Sequence, residues 1–205
     1  LISIIDYGAG NLKSVYHALT KLGFQTQIAS TVDQINNSDA LILPGVGAFK
    51  DAMNHLNESG LVDSIKKNVQ FGKPILGICL GMQLFYEKSY ENGEWDGLGF
   101  LEGEVIRFND NLKVPHMGWN NLIPGPNYNP DKGIGKQIGN AEYTYFVHSY
   151  YVASKNKEEI VFFSDYGIKL PAVVQKNNIY GMQFHPEKSS ETGMTLLKNF
   201  GELIS

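Results

Sequence analysis

A single cysteine stands among 205 residues. It cannot close an internal disulfide, which argues against the disulfide-stapled secreted class. No apolar run approaches the roughly 20 residues that a membrane-spanning helix needs. Lys and Arg form no extended run and the formal net charge is −4, which argues against nucleic acid or an anionic membrane as the main partner. The opening Leu1-Ile2-Ser3-Ile4-Ile5-Asp6 lacks a basic region and a small-residue cleavage site, so it does not read as a secretory signal. His-x-His, H-E-x-x-H and C-x-x-C spacings are all missing. Gly97-Leu98-Gly99-Phe100-Leu101-Glu102-Gly103 is one residue too long for a dinucleotide fingerprint, and Gly133-Ile134-Gly135-Lys136-Gln137 lacks the spacing of a phosphate loop. The expectation is a cytoplasmic protein with no metal and no cofactor.

What is present is ordinary for a folded protein: 42% hydrophobic and 19% charged residues. The length suits one domain over residues 1–205. The first two-thirds alternates short apolar runs with helix-period segments. Ile2–Ile5, Phe24–Ala29, Ala40–Leu43 and Pro74–Ile78 predict strands. Leu12, Val15, Leu19 and Leu22 share one helical face that Gly23 ends, and two helices are expected between Asp51 and Phe71. Strands this short and apolar, separated by helices, predict a parallel sheet buried on both faces. After Phe100, β-branched and aromatic runs at Val105–Phe108, Tyr143–Val147, Ile160–Phe163, Ala172–Val174 and Ile179–Phe184 predict added antiparallel strands. Pro124–Gly139 reads as an exposed loop and Thr192–Ile204 as a closing helix with Met194, Leu197 and Leu203 on its apolar side. The predicted fold is α/β, a mostly parallel central sheet flanked by helices.

Gly77-Ile78-Cys79-Leu80-Gly81 is G-x-C-x-G between a strand and a helical segment. That is the nucleophile-elbow pattern with sulfur in place of the hydroxyl oxygen. The turn strains the nucleophile's backbone, and neighbouring Cβ atoms would collide with it, hence the glycines. A helix N-terminus and an imidazole both favour the thiolate. As a bare pattern the two glycines also fit a plain tight turn. Of five histidines, His17 and His55 sit in helical segments and read as surface residues. His116 and His148 lie in aromatic-rich segments. His185 stands apart, because Gln183-Phe184-His185-Pro186-Glu187 sets a carboxylate two residues after the imidazole. In an extended chain those two side chains share a side, so Glu187 could orient the ring. For the developing oxyanion, the candidates are the amide of Leu80 and an amide from Pro44-Gly45-Val46-Gly47.

These residues resemble the class I, triad-type glutamine amidotransferases, on Gly77–Gln83 and Gln183–Ser189. Asp6–Leu12, Leu43–Phe49 and Val114–Asn120 extend the resemblance to the glutaminase subunits of imidazole glycerol phosphate synthases. The matches run from residue 6 to 190 and imply a flavodoxin-like fold. They imply glutamine hydrolysis with Cys79 as nucleophile, His185 as proton carrier and Glu187 as its orienter. By position, Gln83, Glu91 and the backbones of Ser149 and Tyr150 match residues that hold glutamine. Asn11, Trp119, Tyr145 and Lys188 match positions at a junction with a (β/α)₈ cyclase subunit, to which ammonia would pass in a heterodimer. Val46 and Gly47 match the loop suspected of gating that family, with glycines on both sides of Val46 freeing its peptide. Two other readings stay open. One is a paralogue feeding ammonia to another pathway, such as surface-glycan synthesis. The other is a non-enzymatic redox or chaperone module on the same elbow, which would have no use for His185 or Glu187.

Overall fold

Ile2 and Ile4 turn to one side of the first strand, β1 (Ile2–Ile5), and Ile5 to the other, and all three are buried. The same division runs through β3 (Ala40–Gly45), where Ala40 and Ile42 face one core and Leu41 and Leu43 the other. A strand covered on both faces has no polar alternation, which is why these runs are continuously apolar. The computed structural model describes residues 1–204. Between the strands come α1 (Leu12–Lys21), β2 (Thr26–Ala29), α2 (Val32–Asn36), α3 (Phe49–Glu58) and α4 (Val62–Gln70). Then β4 (Ile75–Cys79) runs directly into the four-residue helix α5 (Leu80–Gln83).

The remainder supplies β5 (Lys88–Ser89), β6 (Trp95–Asp96), β7 (Gly103–Arg107), β8 (His116–Asn121), β9 (Ile123–Pro124), β10 (Tyr143–His148) and β11 (Tyr150–Ser154). It closes with β12 (Ile160–Asp165), β13 (Lys169–Lys176), β14 (Ile179–Met182) and α6 (Ser190–Glu202). The main sheet has the order β2-β1-β3-β4-β14-β13-β12-β9. Its first five strands are parallel and the rest antiparallel. The parallel part has the flavodoxin-like order, in which ligands bind beyond the carboxyl ends of the strands. A four-stranded sheet, β11-β7-β5-β6, and a two-stranded ribbon, β10-β8, stand beside it.

One core packs α1 and α6 against the sheet through Val15, Leu19, Leu196, Leu197 and Phe200. The other face packs Ile35, Phe49, Leu56 and Ile65 of the remaining helices. At roughly 1.5–3 kcal/mol for each fully buried large apolar side chain, these two layers are the main source of stability.

The structure corrects several local readings. The second strand starts at Thr26, because Phe24 leaves the sheet and its backbone N–H closes α1 by bonding the Leu19 carbonyl. Helix α2 is not among the expected elements: its five residues carry no readable period, although Thr31 and Gln34 form a capping box. The segment Pro124–Gly139 is a loop after its first residue, about half exposed, but it is anchored to the core. Pro124 lies in a strand, Ile134 and Ile138 are buried in the core, and Asn199 donates to the carbonyls of Ile134 and Lys136 at 2.9 and 2.7 Å. The closing helix begins at Ser190; Leu197 is buried as expected, Leu196 and Phe200 join it on the inner face, and Leu203 is exposed.

Candidate active site

Cys79 ends β4 with φ 55° and ψ −113°, in the left-handed half of backbone space that residues with side chains avoid. Close packing holds it there. A Cβ on Gly81 would run into the carbonyl of Leu43, and one on Gly77 would lie 2.6 Å from the backbone nitrogen of Met82. Both glycines are therefore demanded by the approach of α5 to β3 and β4. With only four residues, α5 contributes little dipole at Cys79.

A cavity of about 360 Å³ opens at the carboxyl ends of these strands. Cys79, Leu80, Val46, Gly47, Gln83, Glu91, Ser149, Tyr150 and His185 all line it, so the candidate residues meet around one space. Pro115, Val147 and His148 complete the wall. Gln83 is buried and its amide donates to the carbonyl of Tyr150 at 3.0 Å and to Gln183 Oε1 at 3.1 Å. Gln183 in turn reaches Cys79 Sγ at 3.9 Å, and the thiol leans towards the Val147 carbonyl at the same distance.

His185 Nδ1 lies 3.0 Å from Glu187 Oε1, and both side chains are almost fully buried. The contact arises differently from the strand alternation expected. β14 stops at Met182, and Pro186–Lys188 is one turn of 3₁₀ helix that folds the carboxylate back under the ring. Ser189 locks that turn: its hydroxyl donates to the His185 carbonyl at 2.6 Å and accepts from the Tyr145 N–H at 2.9 Å. Burial works against a charge on His185, but Cys79 and Glu187 outweigh it and carry its pKa up to about 9. An imidazole kept protonated beside a thiol stabilises the thiolate and can release a proton to a leaving group.

The loop after β3 also differs from expectation. Gly45 is buried and clamped, since a Cβ there would meet Gly81 N at 2.8 Å and the Tyr7 hydroxyl at 3.0 Å. Gly47, by contrast, has φ 92° and open space where a Cβ would lie, and Val46 is exposed. The Tyr7 hydroxyl donates to the Pro44 carbonyl at 2.7 Å and so braces the base of this loop. Burial first, and then Cys79 nearby, keep that phenol protonated far above its ordinary range. Tyr7 and Gln183 had no role in the sequence reading. Their signal was position alone: each follows the carboxyl end of a parallel strand beside the site.

Three of the four junction candidates lie beside one another. Trp119 and Tyr145 are register partners across the ribbon with rings edge to face at 6.0 Å, and Lys188 is exposed on the turn after His185. Met117, Trp119 and Tyr143 make an exposed apolar strip there. Asn11 caps α1, its side chain accepting from Ser14 N at 3.4 Å. Among the described residues, no helix is long and apolar enough to cross a membrane.

The family model for glutamine amidotransferase class-I matches residues 3–203. An imidazole glycerol phosphate synthase subunit HisH from Oceanobacillus iheyensis is 51% identical over 204 residues, covering 100% of both chains. Its namesake from Caldanaerobacter subterraneus subsp. tengcongensis is 50% identical over 204 residues, covering 100% of this chain and 98% of its own. Among solved structures, PurLQS from Thermotoga maritima superposes with a TM-score of 0.78 at 20% identity, over 100% of this chain and 98% of that one, a likeness of fold. With an elbow cysteine, a paired His185 and Glu187 and a match along nearly its full length, the chain belongs to the class-I glutamine amidotransferase family.

Proposed function

We propose that this chain is the glutaminase subunit of an imidazole glycerol phosphate synthase, acting as one domain over residues 1–205. It hydrolyses L-glutamine to glutamate and ammonia in histidine biosynthesis. The observation that carries the reading is the strained Cys79 facing a cavity shared with His185, in a chain half identical to HisH subunits along their whole length. The thiolate of Cys79 attacks the side-chain amide carbon, and the oxyanion that forms is held by the amides of Leu80 and the Val46–Gly47 loop. His185 passes its proton to the departing ammonia, leaving a glutamyl thioester. Water, giving its proton to His185, then releases glutamate and the thiol. Glu187 holds the ring through its Nδ1 side throughout.

Gln83, Glu91 and the backbones of Ser149 and Tyr150 hold the substrate. The ammonia passes to a (β/α)₈ cyclase subunit that docks on Asn11, Trp119, Tyr145 and Lys188. That partner makes imidazole glycerol phosphate and aminoimidazole carboxamide ribotide, and the pair works in the cytoplasm. The exposed strip of Met117, Trp119 and Tyr143 supports docking on this face. Cys79→Ala tests the reading. It should abolish glutamine hydrolysis while the mixed complex still synthesises imidazole product from added ammonium salt. Turnover of glutamine by the Cys79→Ala protein would overturn the nucleophile assignment. A wild-type chain that stimulates a different synthase would select the paralogue instead.

A further inference from the structure

In the pocket wall and just behind it, two imidazoles that the hydrolysis does not use, His148 and His116, sit in a one-way chain of hydrogen bonds. His148 Nδ1 lies 2.8 Å from the carbonyl of Tyr150. A carbonyl only accepts, so this nitrogen carries the proton and Nε2 of the same ring is bare. That Nε2 is 2.9 Å from His116 Nδ1, which must then be the donor. Nε2 of His116 accepts from the Asn120 amide at 3.2 Å. Asn120 gives its other N–H to the Asp165 carbonyl at 2.8 Å, and its oxygen accepts from Asn121 N at 2.8 Å. No link can be reversed without setting two acceptors or two donors against each other.

The chain ends in the glutamine pocket. The Tyr150 carbonyl that receives His148 also receives Gln83, and Gln83 leads through Gln183 to Cys79 Sγ. Its other end is the ribbon. His116 and His148 are register partners on β8 and β10, three residues from the register pair Trp119 and Tyr145. His116 is also gripped between the rings of Phe146 and Tyr166, at 4.7 and 4.0 Å. Burial keeps both imidazoles neutral, lowering His148 to about 3 and His116 to about 4.

We infer that His116 and His148 are positioning residues of the glutamine site: two neutral Nδ1–H imidazoles that tie the Tyr150 carbonyl, and through it Gln83, to the ribbon bearing Trp119. This rests on the glutaminase reading above. Nitrogen-resolved NMR of the imidazole rings of the full chain tests the tautomers directly. Both rings should be Nδ1–H and neutral at pH 7, and an Nε2–H tautomer at either would overturn the inference. Steady-state kinetics with L-glutamine on the chain mixed with its cyclase subunit tests the role. His116→Phe keeps an aromatic ring between Phe146 and Tyr166 but cannot donate, and should raise KM about tenfold with kcat within about twofold, the size of one lost buried hydrogen bond. His116→Gln, with donor and acceptor both present, should bring KM back towards wild type. Asn120→Ala, changed at a half-buried position, should raise KM in the same sense even if the core variant fails to fold. Unchanged KM in Asn120→Ala and His116→Phe, or a fall in kcat alone, would overturn the inference. A wild-type complex that hydrolyses no glutamine would instead remove the reading beneath it.

Discussion

Glu91 Oε2 accepts a hydrogen bond of 2.9 Å from the backbone N–H of Phe49, the first residue of α3. Ala48, the residue at the cap position, offers no side-chain partner, so a carboxylate 42 residues from Phe49 in sequence serves as the cap. Burial raises the pKa of Glu91 and the Phe49 N–H opposes that rise. One side chain thus lines the cavity and anchors the helix that leaves the Val46–Gly47 loop.

Glu91→Ala should therefore do two things at once. Loss of a cap costs about 1 kcal/mol of stability, read as a lowered denaturation midpoint. Loss of the substrate contact should raise KM for glutamine. Glu91→Gln keeps an acceptor for Phe49 and should recover most of the stability but not the affinity. If both variants lost stability and neither changed KM, Glu91 would be a cap alone.

The raised pKa of His185 predicts an alkaline limb in the kcat/KM profile near pH 9, where the proton needed by departing ammonia is lost. Glu187 favours the charged ring, so Glu187→Gln should move that limb to lower pH. The linkage to stability has a fixed sign. A folded pKa above the ordinary 6.5 gives stabilisation that is complete below about 6.5 and disappears as pH rises through about 9. Chemical denaturation across this window should show it, and His185→Asn should flatten it.

His116 and His148 have the opposite sign. Their folded pKa values, about 4 and 3, lie below 6.5, so the unfolded chain takes up protons first as the pH falls. Their contribution is complete above 6.5 and is lost on acidification towards pH 4 and below. His148→Gln should make stability less sensitive to acid between pH 6 and 4 than wild type, roughly in proportion to the proton uptake removed. An unchanged acid slope would mean that the pair is not neutral in the fold.

Of the two glycines in the Val46 loop, Gly45 is clamped and Gly47 has open space around it. The isolated chain should be a poor glutaminase, stimulated by the cyclase on the order of 10²–10³-fold, the worth of one oxyanion donor. Gly47→Ala meets no neighbour but must hold φ 92°, which glycine alone does without strain. It should shrink the ratio of stimulated to basal rates. Equal rates with and without the cyclase would remove the gate. Full stimulation in Gly47→Ala would move it to the docking of Trp119.

Much of this was legible in the chain because the signals are local. Apolar runs of four or five residues ending in Gly or Asp specify buried parallel strands whatever lies beyond them, and G-x-C-x-G carries its own steric logic. His185 and Glu187 are two apart, so any tight turn or strand could unite them. The pairs that were not legible join distant segments. Gln83 with Tyr150, Glu91 with Phe49 and Asn199 with Ile134 are separated by 67, 42 and 65 residues, and no pattern in one partner announces the other.

What the sequence determined by itself was the order of the core strands and longer helices and the elbow at Cys79, since each depends on steric rules acting over a few bonds; the other pocket candidates came from the family resemblance. The tertiary structure decided which glycine is clamped, which carbonyl the Gln83 amide meets and why His116 and His148 are neutral. Those outcomes depend on what is packed against each group. Gly45 and Gly47 are both glycine, and only the approach of Gly81 and Tyr7 separates the clamped one from the free one.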